Sequence, residues 1–270
     1  MTAPSRITAF QALKGQRKIV CLTAYTATVA AALDAYCDML LVGDSVGMVV
    51  YGMETTHAVS LEMMIRHGQA VMRRRHKALV VIDLPKGSYE NSPEQAMATA
   101  RLLLDQTGAD PVKLEGGTGM AATVRHLTDN GLTVMGHIGL LPQSAHAMRA
   151  TGRSRAEADQ LAADMRAVVT AGIFGLVIEA VIEPVAARLA AACPVPTIGI
   201  GASQACDGQI LVTDDMLGLY DGQRPKFVRP FAHLNSAITA AATAYRQAVI
   251  DGTFPDKQEV YHKTSIDRKN

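Results

Sequence analysis

Asp44, Asp83, Lys113, Glu115, His137 and Glu179 are the residues of this 270-residue chain whose types and positions could do chemistry. Each lies within or just after a short apolar run. Taken singly, each has a plainer explanation. An Asp closing an apolar run is often a helix cap or turn former, and Leu84-Pro85 after Asp83 suits a turn. Glu115 before Gly116-Gly117 could be solvated, and His137 among glycines could be a hydrogen-bonded core histidine. Lys113 and Glu179 fit that explanation least, because an unpaired charge inside an apolar segment is costly. Coincidence decides for chemistry: six successive runs, counting the first with Thr23 and Tyr25, carry polar groups at the same end.

Three carboxylates in one place, Asp44, Asp83 and Glu115, imply a cation, since three like charges would otherwise raise one another's pKa values. Oxygen-only donors favour a hard ion, Mg²⁺ over Zn²⁺. Such a metal leaves open positions for a bidentate substrate and stabilises an enolate as a Lewis acid. A 2-oxo acid suits it, because its carboxylate and carbonyl oxygens chelate together. Lys113 offsets remaining negative charge, and Glu179 is the natural candidate for a general base.

The elements that must position these groups alternate along the chain. Apolar, β-branched runs recur at Lys18–Tyr25, Met39–Ser45, Ala78–Pro85, Pro111–Gly117, Thr133–Gly139, Gly175–Ala180 and Pro196–Ala202. Short, nearly continuous hydrophobicity is how a parallel strand buried on both faces reads. Helical stretches fill the gaps. Ser60, Ser92 and Ser154 are N-caps, with Gln95 and Glu157 at capping-box positions and Gly108 and Gly172 as stops. Thr26–Tyr36, Met120–Asn130, Glu183–Cys193 and an Ala-rich segment from about Ala232 to Ile250 also read as helix. An eighth strand is expected near Lys226–Pro230. Eight βα units in about 250 residues make a (β/α)8 TIM barrel, whose catalytic residues gather at the C-terminal ends of its strands. A doubly wound open sheet is the alternative, weakened because no G-x-G-x-x-G follows the first strand. No linker marks a second domain, so residues 1–270 are read as one barrel domain with a short polar tail from about 252.

Composition narrows the function further. Charged residues are 19% and the net charge is +1, which gives no electrostatic reason to expect nucleic acid or a membrane as partner. Aromatics are 4% with no Trp, so base-stacking platforms are not expected. Cys21, Cys37, Cys193 and Cys206 form no C-x-x-C pair and read as free thiols of a reducing compartment. With no signal core in Met1–Gln16 and no membrane-length apolar run, the expected location is the cytoplasm.

From about Ile7 to Pro255 the sequence resembles the ketopantoate hydroxymethyltransferase family. The resemblance rests on T-A-Y at Thr23–Tyr25, L-V-G-D-S-V-G-M at Leu41–Met48, D-L-P with S-Y-E-N-S-P-E-Q-A around Asp83–Ala96, and V-K-L-E-G-G at Val112–Gly117. It continues through G-H-I-G-L at Gly136–Leu140, I-G-I-G-A at Ile198–Ala202, C-D-G-Q-I-L-V at Cys206–Val212 and P-K-F-V at Pro225–Val228. It implies a barrel of the phosphoenolpyruvate/pyruvate type. It also implies transfer of a hydroxymethyl group from 5,10-methylenetetrahydrofolate to 3-methyl-2-oxobutanoate, giving 2-dehydropantoate on the way to pantothenate. Asp44 and Asp83 would bind both Mg²⁺ and the 2-oxo acid, with Ser45 and Lys113 touching the substrate and Glu115 in the metal shell. Glu179 would accept the proton from C3, and His137 is an auxiliary candidate to position or protonate nearby groups. A cytoplasmic homo-oligomer, a ring-shaped decamer, is implied as well.

Some positions depart from the family pattern: Thr26 where Asp is usual, Lys86 for Phe, Leu141 for Thr, Ser203 for Gly, and Thr213-Asp214 near a usual His. These put the folate side and the loop packing in question, while the expected ligands and base are all present. A carbon–carbon lyase of the isocitrate-lyase or phosphoenolpyruvate-mutase type would use similar metal chemistry. Such lyases usually carry a loop cysteine, as in K-K-C-G-H, which this chain lacks. A non-catalytic barrel would be marked by loss of a ligand or of the base. On sequence alone, Asp83→Asn is expected to impair Mg²⁺ binding and activity far more than folding.

Overall fold

The computed structural model describes residues 5–144, 149–220 and 225–261. Two compact units, Met1–Thr213 with Arg224–Val228 and Asp214–Gln223 with Arg229–Asn270, divide the chain.

The first unit is a closed barrel of eight parallel strands in sequential order. They are β1 (Ile19–Thr23), β2 (Met39–Val42), β3 (Leu79–Asp83), β4 (Pro111–Glu115), β5 (Thr133–Gly139), β6 (Gly175–Glu179), β7 (Thr197–Ile200) and β8 (Gly208–Leu211). The TIM barrel expected from the alternating pattern is therefore present. The eighth strand is not where the sequence reading put it. β8 lies in C-D-G-Q-I-L-V and closes the barrel against β1, pairing Ile19 with Gly208 and Cys21 with Ile210. Residues 225–230 form a turn and irregular chain. There the ring of Phe227 lies against Gly201, where a Cβ would stand 2.6 Å from it. The apolar residues of K-F-V-R-P were thus read as strand although one of them packs over the end of β7.

Alternation along the strands sorts side chains into two cores. Inside the barrel lie Cys21, Met39, Leu41, Val81, Met135 and Val177 among others, with Phe10 from the helix Arg6–Gln11 packed edge-on to Phe174. The larger cluster, including Leu40, Val80, Ile82, Leu114 and Ile178, faces the outer helices. Both faces of each central strand are therefore apolar, which is why these runs read as continuous hydrophobicity.

The helix ends follow the expected caps. The Ser92 hydroxyl accepts from the Gln95 amide at 3.1 Å, and Gly108 ends that helix at a φ of 71°. The Ser154 hydroxyl accepts from Glu157 in the same way, at 3.1 Å. Gln95 and Glu157 reach back to the amides of Asn91 and Arg153, one residue before the cap. In the second unit the helix Leu234–Ile250 matches the expected Ala-rich helix.

Aspartates fasten the closing strands. Asp207 Oδ2 accepts from the Thr197 amide and hydroxyl, each at 2.8 Å, and from Lys14 Nζ at 2.7 Å. Asp34 accepts from the amides of His76, Lys77 and Ala78 at the entry to β3. Burial works against both charges, but these donors outweigh it and hold both carboxyls below their ordinary range. A carboxyl with a lowered folded-state pKa stabilises fully above its unfolded value, about 4, and loses that contribution as pH falls below it. Asp207→Asn should lower unfolding free energy at neutral pH by about 1–3 kcal/mol. It should also flatten the acid limb of the stability curve in denaturant titrations from about pH 5 to about pH 2. An acid limb as steep as in the parent chain would contradict this role.

Candidate active site

The strand register assembles the polar residues on the inner face. Lys113 and Glu115 are two apart on β4, so they point the same way. Asp83 is registered with Lys113, His137 with Glu115, and Glu179 with Gly139, two residues beyond His137. Asp83, Lys113, Glu115, His137 and Glu179 thus form the last inward layer above the apolar interior. Gly139, with a φ of 104°, is needed at its place: a Cβ there would stand 2.2 Å from the Glu179 carbonyl oxygen. Asp44 and Ser45 follow β2 in the next turn, preceded by Gly43. A Cβ on Gly43 would approach the Ser45 hydroxyl at 3.0 Å and Asp83 Oδ2 at 3.5 Å.

The groups are close and dry. Lys113 Nζ lies 2.8 Å from Asp83 Oδ1, with both side chains buried. Asp83 Oδ2 accepts from the Asp44 amide at 3.2 Å. His137 stands between two carboxylates, its Nδ1 3.6 Å from Glu115 Oε1 and its Nε2 3.3 Å from Glu179 Oε2. Among the described residues, neither ring nitrogen has a well-aligned hydrogen-bond partner. The Ser45 and Tyr25 hydroxyls are 2.8 Å apart. The structure therefore brings together Asp44, Ser45, Asp83, Lys113, Glu115, His137 and Glu179. Glu179 is the most open of the acids, its side chain 16% exposed against 5% for Glu115.

Electrostatics follow from this crowding. Burial raises the Asp44 pKa, and the neighbouring Asp83 adds to the rise, against the pull of Lys113 and Gln143. Burial pushes Glu115 up to about 7, despite His137 and Lys113. Lys113 goes the other way: burial opposes its charge, but Asp83, Glu115 and Asp44 hold it protonated well above the ordinary lysine range.

Two buried residues were missed by sequence reasoning. Gln143, on the turn after β5, donates from Nε2 to Asp44 Oδ2 at 2.9 Å and to the Leu84 carbonyl at 3.0 Å. Its backbone amide donates to Glu115 Oε2 at 3.1 Å. Tyr89 donates from its hydroxyl to Gln143 Oε1 at 2.6 Å. The signals available were weak: Tyr89 stands in S-Y-E-N and Gln143 three residues past G-H-I-G-L, and neither residue type announces burial.

The donor set can be tested against a metal. Among the described residues, no three His, Cys, Asp or Glu side chains converge as a preformed metal cage. Asp44 and Asp83, adjacent, buried and hard in their donor atoms, fit instead the one- or two-carboxylate sites that hold Mg²⁺ with waters and substrate oxygens.

A family model described as ketopantoate hydroxymethyltransferase matches residues 4–257. The chain belongs to this family. It is 54% identical over 254 residues, 93% of each chain, to the 3-methyl-2-oxobutanoate hydroxymethyltransferase of Paramagnetospirillum magneticum. It is 51% identical over 264 residues, 97% of each chain, to the protein of that name from Rhizobium rhizogenes. Among solved structures, it is similar to 2,3-dimethylmalate lyase of the PEP mutase/isocitrate lyase superfamily. The TM-score is 0.59 at 16% identity, covering 96% of this chain and 92% of the other. Phosphoenolpyruvate phosphomutase from Streptomyces platensis subsp. rosaceus gives a TM-score of 0.63 at 12% identity, covering 96% and 91%. These similarities show the fold, a (β/α)8 barrel.

Local structure accounts for two of the departures from the family pattern. Thr26 caps the helix Ala27–Leu33, its hydroxyl accepting from the Val29 amide at 3.2 Å, a task Thr and Asp share. Ser203 donates from Oγ to Glu183 Oε1 at 2.9 Å and accepts from the Ala205 amide at 3.0 Å.

The Asp83–Lys113 pair changes what Asp83→Asn should do. Removing one member of a buried ion pair costs about 3–5 kcal/mol, because the other charge stays buried. Asp83→Asn should therefore lose stability as well as function, and Asp83→Asn with Lys113→Met should recover part of that loss. Chemical denaturation of the two single variants and the double variant measures the coupling. Strict additivity of the losses would show that the pair is not coupled.

Proposed function

We propose that this chain transfers a hydroxymethyl group from 5,10-methylenetetrahydrofolate to 3-methyl-2-oxobutanoate, giving 2-dehydropantoate for pantothenate biosynthesis. The observation that carries the reading is the inward layer of Asp83, Lys113, Glu115, His137 and Glu179 beside Asp44, in a chain about half identical to proteins bearing that enzyme's name.

Asp44 and Asp83 would hold Mg²⁺, with Glu115 in the surrounding shell. The bound ion supplies positive charge that acidifies C3 of the 2-oxo acid and favours its enolate. Lys113, kept protonated by its carboxylate neighbours, binds the substrate carboxylate, and Ser45 adds a hydroxyl beside Asp44. Glu179 removes the proton from C3. Its partial exposure and the His137 Nε2 3.3 Å from its Oε2, which would position it or relay a proton, support this role. The C3 carbanion equivalent then adds to the donor's one-carbon unit: one water is consumed, its oxygen becoming the hydroxyl, the C–N bonds from that carbon to the folate break, and tetrahydrofolate leaves. Holding both reactants in one dry cleft replaces a bimolecular encounter with a positioned one.

The reading extends to a cytoplasmic homo-oligomer, a decamer. Among the described residues no helix is long and apolar enough to cross a membrane. The helix Leu234–Ile250 has no buried residue and exposes Ile238, Tyr245, Val249 and Ile250, an apolar surface of the kind subunit contacts cover.

Proton abstraction precedes carbon transfer, so it can be observed without folate. In heavy water with Mg²⁺, the protein should exchange the C3 proton of 3-methyl-2-oxobutanoate for deuterium, followed by NMR. Glu179→Gln should retain substrate binding and lose exchange by about 10²-fold or more. Parent-like exchange in that variant would move the base role to another residue, with His137→Gln the next variant to measure.

A further inference from the structure

We infer that Gln143, held by Tyr89, is a positioning residue that fixes Asp44 and Glu115 in the geometry needed to receive the divalent cation. The inference rests on the functional reading above and concerns how that site is kept in shape.

Every polar hydrogen of this small network has a destination. The Glu115 amide donates to the Tyr89 hydroxyl at 3.3 Å. That hydroxyl donates to Gln143 Oε1, which fixes the amide's orientation: Oε1 faces Tyr89 and Nε2 faces Asp44. The two Nε2 hydrogens go to Asp44 Oδ2 and the Leu84 carbonyl. The Gln143 backbone amide takes Glu115 Oε2. One residue on the turn after β5 therefore grips the carboxylates of the β2 turn and of β4, and the chain just after β3.

Gln143 is 3% and Tyr89 2% exposed, so water does not substitute for these bonds. Oδ2 of Asp44 and Oε2 of Glu115 are thus committed to neutral donors, while Oε1 of Glu115 lies 3.6 Å from His137 Nδ1. A neutral amide suits the task. It orients two carboxylates without adding a charge that would compete with the incoming cation. Removing hydrogen-bond partners of this kind typically weakens metal binding by about 10- to 100-fold.

The test uses the full-length protein, stripped of metal, with MgCl₂ as titrant in calorimetry and 3-methyl-2-oxobutanoate kinetics at varied Mg²⁺. Gln143→Met keeps the volume but removes both side-chain donors. Tyr89→Phe keeps the ring and frees Oε1. Gln143→Met should raise the Mg²⁺ dissociation constant about 10-fold or more, and Tyr89→Phe by less. The double variant should be no weaker than Gln143→Met alone, because both act through one amide. The apparent KM for Mg²⁺ should rise in step, and saturating Mg²⁺ should restore most of kcat. Gln143→Glu, which sets a third carboxylate against Asp44, should bind Mg²⁺ differently from Gln143→Met. If Gln143→Met unfolds, Tyr89→Phe alone carries the test. A lower Tm with unchanged Mg²⁺ affinity and KM would overturn the inference and leave Gln143 a loop-stabilising residue. Failure of the parent protein itself to bind Mg²⁺ would overturn the functional reading, and this inference with it.

Discussion

Burying carboxylates is unfavourable unless something compensates, and the C-terminal end of this barrel is organised around that constraint. Asp44 and Glu115 both sit where burial resists their negative charge. One internal cation, Lys113, faces three carboxylates and is most tightly matched to Asp83. Neutral donors cover part of what is left: Gln143 on Asp44 and Glu115, and the Asp44 amide on Asp83. What these groups do not neutralise is negative charge that a hard divalent ion would offset. Below this layer the barrel is filled by apolar side chains such as Met39, Val81, Met135 and Val177, and it closes without an edge.

The same constraint explains why so much of the site was legible in the sequence. A charge inside an apolar run is rare enough to stand out, and Lys113 and Glu179 stand out in this way. Strand periodicity then required their side chains to share a face, and the register agrees at Asp83–Lys113, Glu115–His137 and Gly139–Glu179. Gln143 and Tyr89 gave no comparable signal, because an amide and a phenol are ordinary in loops. Their importance comes from long-range hydrogen bonds, such as the one joining Gln143 to Asp44 across 99 residues of sequence.

The eighth strand shows a different limit. G-Q-I-L is four residues long, opens on a glycine and has no aromatic, whereas K-F-V-R-P sets Phe227 beside Val228. What makes it a strand is closure: β1 leaves an edge whose backbone groups need partners, and β8 supplies them from Gly208 to Leu211. Asp207 secures its start through Thr197 and Lys14. Pairing demand decided the assignment over local propensity. Just beyond Glu179 the backbone bears a further cost. Ala180 adopts a φ of 46° while its amide donates to the Ile200 carbonyl and its own carbonyl accepts from Thr151, both at 2.8 Å. A non-glycine residue held left-handed beside the proposed base marks strain retained next to a reactive group.

The central claim is that this buried acidic layer works as a cation-dependent site for a 2-oxo acid and a folate donor together. It is tested most directly by assaying the purified protein with 3-methyl-2-oxobutanoate, 5,10-methylenetetrahydrofolate and Mg²⁺, omitting each in turn, and following 2-dehydropantoate by mass spectrometry. The account predicts product with the full set, no product without either organic substrate, and a loss of at least about 10²-fold when chelation removes the divalent ion. Undiminished turnover after rigorous chelation, or no product from the complete mixture, would contradict it.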